Sequence, residues 1–193
     1  MAKDKFPKEE WKDNIDIMTY DELQRCIADP NTYYPEYLDY VKSRMTEIEG
    51  NMVKTREVFL KTLRKRRIKY ESANNKNKFR LKWNRKTFIA DLDTEGDFVI
   101  IYFIHNIFID KEEEAKLSRL KEAVNAPNMI CSVRTYYEEN EDCGHFFVVS
   151  AGSINFITEN PNFETELMMI LHNCLDAEYI VNGLMKRKNK RRD

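Results

Sequence analysis

The stretch Phe98-Val99-Ile100-Ile101-Tyr102-Phe103-Ile104, reached through Asp93-Thr94-Glu95-Gly96-Asp97, decides the fold. Its seven successive apolar or aromatic residues do not alternate, and the run is far shorter than the ~20 residues of a membrane span. Such a segment reads as a strand covered on both faces. Upstream, Phe79, Leu81 and Trp83 alternate with Arg80 and Lys82, the mark of a strand wet on one face. The acidic, glycine-containing turn at 93–97 joins strand to strand as a hairpin. Working outward, strands are expected at 68–73, 78–83, 87–93 and 97–104, then near 129–137, 144–150 and 153–157. Strands in runs, separated by single helices, give an α+β class: helices laid on an antiparallel sheet.

The helices are legible from their caps and periodicity. Met52, Val53, Phe59, Leu60 and Leu63 fall in one arc of a helix over 52–66, with Lys54, Lys61 and Lys65 on the other side. Asp110 with Glu113 reads as a capping box for a middle helix carrying Leu117, Leu120 and Val124, which ends at Asn125-Ala126-Pro127-Asn128. Asn160 and Pro161 open the last helix. Its main face holds Phe163, Leu167, Ile170, Leu171, Cys174, Val181 and Met185, and a second patch holds Met168, Leu175 and Tyr179. Glu178 falls inside the apolar arc, where an unpaired carboxylate is costly, so it is expected at the arc's edge or against a basic residue such as Arg64 or Arg67.

Before this domain, residues 1–13 read as a polar, disordered start. Thr19 with Glu22 then caps a short helix broken by Asp29-Pro30-Asn31. Pro35 opens a second helix with Leu38, Val41, Met45 and Ile48 at helical spacing, and Gly50 is its expected stop. The chain is thus divided into a helical appendage over 1–50, an α+β domain over 51–187 and a basic tail over 188–193. The aromatic group Tyr33, Tyr34, Tyr37 and Tyr40 supplies the appendage's contacts. The dry central strands and the surplus apolar arc of the last helix need a cover, either the helical appendage or a second copy of the chain.

Apolar residues make up 42% of the 193 and charged ones 34%, the composition of a folded, water-exposed protein. The start lacks a signal-peptide core. Cys26, Cys131, Cys143 and Cys174 have no CxxC spacing, and reduced, buried thiols are expected, hence a cytoplasmic location with no membrane. Charge is segregated: 1–50 is net −5, 54–69 net +7, 70–185 net −8 and 186–193 net +5. The two basic segments together carry fourteen cationic side chains, enough for salt-dependent phosphate binding if they share a face.

Constellations for chemistry are absent from the text. His105, His145 and His172 show no metal-ligand spacing and read as strand-end or surface residues, so no metal and no cofactor is expected. Cys143 with His145 has no third group to orient a base. Ser150-Ala151-Gly152-Ser153 is a turn between strands, not a nucleophile elbow, and no phosphate-cradling glycine motif occurs. Asp91, Asp93, Glu95 and Asp97 have calcium-loop spacing, but position 12 is Tyr102.

The order of elements over 53–187 resembles the YbjN family of bacterial sensory transduction regulators, which shares the fold of type III secretion chaperones. The matching text is Phe59-Leu60 with Leu63, Ile68-Lys69-Tyr70-Glu71, 79–83, 98–102, the 125–128 break and the helix over 163–185. The resemblance implies a non-enzymatic, often dimeric module that binds polypeptides at a sheet edge or in grooves between helix and sheet. The expectation is therefore a non-catalytic adaptor with an unidentified protein partner and a homodimeric state. Its candidate interaction surface is Lys54, Lys61, Lys65, Met168, Leu175 and Tyr179. The alternative is a nucleic-acid-associated regulator using the basic helix and tail.

Overall fold

The computed structural model describes residues 8–73 and 77–186. A helical turn at Lys8–Glu10 leads into α1 (Trp11–Asp16), α2 (Tyr20–Ala28) and the 31-residue α3 (Pro35–Lys65). Four strands follow, β1 (Lys69–Ser72), β2 (Lys78–Trp83), β3 (Lys86–Asp93) and β4 (Phe98–Asp110). Then come α4 (Glu114–Ala123), the single turn α5 (Asn125–Asn128), β5 (Arg134–Asn140), β6 (His145–Asn155) and α6 (Phe163–Lys186). The six strands form one sheet in the order β1-β2-β3-β4-β6-β5, antiparallel throughout. The expected α+β class is observed.

One face of the sheet carries the core. Phe79 and Leu81 of β2, Phe88, Ala90 and Leu92 of β3, and Val99, Ile101 and Phe103 of β4 point to the same side. There they meet Phe59 and Leu63 of α3 and Phe163, Leu167, Ile170, Leu171 and Cys174 of α6. A second cluster unites β4, α4 and α6 through Ile109, Leu120, Val124, Val148 and Val181. The result is two layers, helices on one side only.

Gly50 does not stop a helix. α3 runs straight through it, burying Val41 and Ile48 before the glycine and Phe59 and Leu63 after it. A helix-interior glycine costs only about 1 kcal/mol relative to alanine, which contacts on both sides override. The boundary drawn at residue 50 therefore falls inside one continuous helix. A Cβ at Gly50 meets nothing within 4 Å. Gly50→Ala is expected to stabilise the protein by up to ~1 kcal/mol, read as a raised midpoint in thermal unfolding.

The N-terminal helices make their own small core from Trp11, Ile15, Leu23, Cys26, Tyr37, Val41 and Ile48. Part of the start expected to be disordered is thus helical, because Trp11 stacks on Tyr34 at 5.7 Å and meets Tyr37 edge-on at 5.5 Å. The Thr19–Glu22 capping box is present, with the Thr19 amide donating to the Glu22 carboxylate at 2.8 Å. Residues 1–7 and the tail beyond 186 lie outside the described residues.

Other boundaries moved for local reasons. Asp110 ends β4 rather than capping a helix: its Oδ1 accepts the Glu112 amide at 3.1 Å, and α4 begins at Glu114. The strand outlasts its expected end because a bulge between Ile104 and Phe108 restores pairing with β6 and lets Ile109 reach the interior. β5 starts at Arg134, so 129–133 connects α5 to it. Ala151-Gly152 is no turn, and the two strands expected there are one, β6. Gly152 lies under α6, where an added Cβ would sit 3.0 Å from Ile170 Cγ1 and Cγ2. The glycine permits the close helix–sheet approach. Asn160 precedes α6 by a turn, its Oδ1 accepting the Asn162 amide at 2.8 Å.

Candidate interaction surfaces

The face of the sheet opposite the core is bare of helices among the described elements. β4 is not dry on both sides: Val99, Ile101, Phe103 and His105 are buried, while Phe98, Ile100 and Tyr102 are half-buried and Ile104 is exposed. The outer row across the sheet pairs Arg80 with Ile89, Ile89 with Tyr102, Tyr102 with Ala151 and Ala151 with Arg134. The next rows pair Ile104 with Val149 and Tyr136, and Phe108 with Phe147. Between Arg80 and Arg134 at its sides these rows form an apolar surface in which Val149 is buried, Ile104 is 46% exposed and Phe108 63%. From Phe98 to Phe108 and from Phe147 to Asn155, the outward positions of β4 and β6 carry no charge. Of the two covers considered, the N-terminal helices do not supply one among the described residues: their hydrophobic core contains no residue of the sheet.

α3 holds the basic candidates. Lys54 and Lys61 are exposed. Lys65 is tied by ion pairing to Glu164 at the start of α6, and Arg66 pairs with the same carboxylate. The two cations hold the Glu164 carboxyl below the usual range, hydrogen bonding to Lys65 being the main cause. Beside them, Val53, Arg56, Glu57, Leu60, Lys61 and Arg64 line an open depression of about 500 Å³. Their spacing places them on one stripe of the helix. Its lining combines two apolar side chains with three cations and the Glu57 carboxylate.

On α6, Met168 and Leu175 are half-buried against the main core. Tyr179 alone of that patch stands clear, at 81% exposed. The six candidate residues therefore do not converge on one surface; Lys65 is the member whose ion pair reaches the other helix.

Glu178 meets a basic residue, as expected, but it is Lys86 rather than Arg64 or Arg67. It is buried, receives Lys86 Nζ of β3 at 2.6 Å, and accepts the Asn106 amide in the β4 bulge at 3.3 Å. One carboxylate thus ties α6 to two strands and satisfies the amide that the bulge releases from the ladder.

His105 is interior, not a strand-end residue. It is fully buried, with Nε2 2.8 Å from Ser150 Oγ, which lies 2.8 Å from Thr135 Oγ1. Its Nδ1 is buried with no hydrogen-bond partner. Burial pushes its pKa down to about 4, with Glu178 acting in the other direction and Lys86 adding to the shift. A neutral His beside Ser resembles half of a hydrolytic triad, but both side chains are sealed from solvent and no substrate atom can reach Ser150 Oγ. The signal was in the text: His105 continues the two-residue spacing of Val99, Ile101 and Phe103.

The other polar candidates hold the fold. Asp93 Oδ1 accepts the Glu95 and Gly96 amides at 3.0 Å, and Asp97 accepts Thr55 Oγ1 at 2.7 Å and Thr158 Oγ1 at 2.6 Å. Among the described residues no group of three His, Cys, Asp or Glu is placed to hold a metal ion. All four cysteines are free; Cys26 and Cys174 are buried as expected, but Cys131 is half-buried and Cys143 exposed. Burial pushes the Cys174 thiol up to about 12, so it is no nucleophile. His145 lies 3.9 Å from Asp110, and exposed His172 meets Trp83 edge-on at 4.7 Å. No described helix is long and apolar enough to cross a membrane.

No family model matches the chain, and no curated protein matches it. Among solved structures, the chain is similar to an uncharacterized protein from Methanothermobacter thermautotrophicus, with TM-score 0.51 and 12% identity. The match covers 68% of this chain and 96% of that one. At that identity the likeness is one of fold, and it supports the α+β architecture.

Proposed function

We propose that this chain is a non-catalytic adaptor that works by binding other polypeptides, and that it functions as a homodimer. The observation that carries the reading is the uncharged apolar outer face of β4 and β6, where Ile104 and Phe108 stand exposed with no helix over them. Surface of that kind is costly to leave in water and marks a site of association. The YbjN resemblance, carried by the residues of 53–187, points the same way.

The partner polypeptide is assigned to the depression along α3. Val53 and Leu60 offer an apolar anchor, and the exposed Lys61 and Arg64 favour acidic residues beside it. The sheet edges are poorer templates: β1 has four residues, and β5 carries Arg134, Glu138 and Glu139. Nucleic acid is the second reading, supported by exposed Lys54 and Lys61 and weakened by the neutralisation of Lys65 and Arg66 at Glu164.

Affinity purification of the tagged chain, with and without nuclease, separates the two. An acidic polypeptide retained at about 1:1 after nuclease, and lost from a Val53→Asp/Lys61→Glu variant, is the expected result. Retention that vanishes on nuclease treatment and falls steeply with salt supports the nucleic-acid reading. Turnover of a substrate by the purified chain would defeat both.

A further inference from the structure

We infer that the occupant of the outer sheet face is the same face of a second copy, giving four layers in the order helix, sheet, sheet, helix. The inference rests on the homodimeric reading and adds the surface to it. Three observations select this occupant.

The first is shape. The face is a broad pleated surface whose ladder donors and acceptors are already paired within the sheet. A single extended chain laid across it finds no main-chain partners and only a narrow contact. Another twisted sheet matches it over its whole breadth, at about 10 Å separation and a crossing near −30°.

The second is extent. The uncharged centre of the patch runs from Ile100 to Phe108 along β4 and along β6 beside it; Ile89 on β3 and Tyr136 on β5 flank it, and Asp91, Arg134 and Glu138 stand at its rim. With that rim included, four strands at ~4.8 Å spacing over about eight residues at ~3.3 Å each project to about 500 Å². Two facing copies then cover about 1,000 Å² before side-chain relief is counted, the lower bound for a specific interface.

The third is the lack of another cover within this sequence. α1 and α2 are committed to their own core with α3. In 1–7, 74–76 and 187–193 the apolar side chains are those of Met1, Ala2, Phe6 and Pro7, too few to cover the face. Bulky Ile104 and Phe108 protrude at one end, while Ala151 and Ser153 lie lower on β6. That alternation of large and small lets two copies interdigitate about a two-fold axis.

The test is sedimentation or light scattering of the purified full chain across a concentration series reaching tens of micromolar, with two variants. Wild type is expected to reach twice 23.1 kDa. Ile104→Glu/Phe108→Glu is expected to remain at 23.1 kDa with its thermal transition retained, since both side chains are exposed in the single copy. Tyr179→Glu, on α6 at the other side of the sheet, is expected to dimerise like wild type. A wild-type chain that stays monomeric overturns both the surface and the homodimeric reading. A dimer that survives the double variant, or that Tyr179→Glu breaks, overturns the surface while the homodimer stands. A different polypeptide released by the double variant from an otherwise monomeric chain overturns the inference in favour of a foreign partner on this face.

Discussion

Phe59→Ala is expected to destabilise the protein by about 3–5 kcal/mol, the range for truncating a fully buried phenylalanine. Phe59 sits on the second half of α3 with no exposed area, its ring 5.5 Å from Phe79 of β2 and 6.3 Å from Phe163 of α6. It is the place where α3, the sheet and α6 meet. Truncation loses both the transfer free energy and the contacts of the three surrounding elements, and a pleated sheet cannot collapse into the gap. Against a typical total of about 5–15 kcal/mol, that loss is a large share. Urea unfolding followed by circular dichroism would read it as a lowered midpoint at unchanged slope. A loss below about 1 kcal/mol would show that α3 is not seated on the sheet as described.

The second large effect is a pH dependence centred on His105. Its folded pKa, about 4, lies below the ordinary histidine value of about 6.5. Between those values the unfolded chain binds a proton at this position that the folded one does not, so stability rises with pH there. The contribution is complete above pH ~6.5 and is lost as pH falls toward about 4, amounting to about 3 kcal/mol for a shift of that size. Below that no further loss comes from this side chain. Burial is the dominant cause; Glu178, which faces it, opposes the shift, and Lys86 adds to it. Carboxylates titrate in the same window, so the measurement is a comparison. Urea stability of wild type and His105→Gln at intervals from pH 7 to pH 4 is expected to give a shallower slope in the variant. Equal slopes would mean that His105 exchanges protons freely in the folded state.

How much of this was legible in the text depends on the range of the interaction. The Thr19–Glu22 capping box, Pro35 at the start of α3 and the alternation of β2 were readable because each is decided within a few residues. Gly50 misled for the opposite reason. It has a helix-ending residue's propensity, but Val41 and Ile48 on one side and Phe59 and Leu63 on the other hold the helix across it. Asp110 and Glu113 have a capping box's spacing, yet the β4 bulge carries the strand to Asp110 and leaves Glu113 just before α4. The apolar run at 98–104 was read as a strand, correctly, and as covered on both faces, which the single chain does not provide. A strand facing solvent with Ile100, Tyr102 and Ile104 has the same composition as one buried twice.

The candidate surfaces divide along the same line. Exposed lysines of α3 could be placed from helical periodicity, because a 3.6-residue repeat sorts side chains onto faces without reference to the rest of the chain. That Lys65 is consumed by Glu164, residues distant in sequence, could not.

By itself the sequence determined the class and most of the elements, though not their ends: which stretches are helical or extended, that strands come in antiparallel series, and that charge collects on α3. Those features follow from propensity, periodicity and capping, which act over one or two turns. Only the tertiary structure decided that one face of the sheet is left bare, that His105 is interior and that Glu178 clasps Lys86 and Asn106. Each depends on which surfaces meet across tens of residues, and a local pattern cannot say whether an apolar face is covered by its own chain.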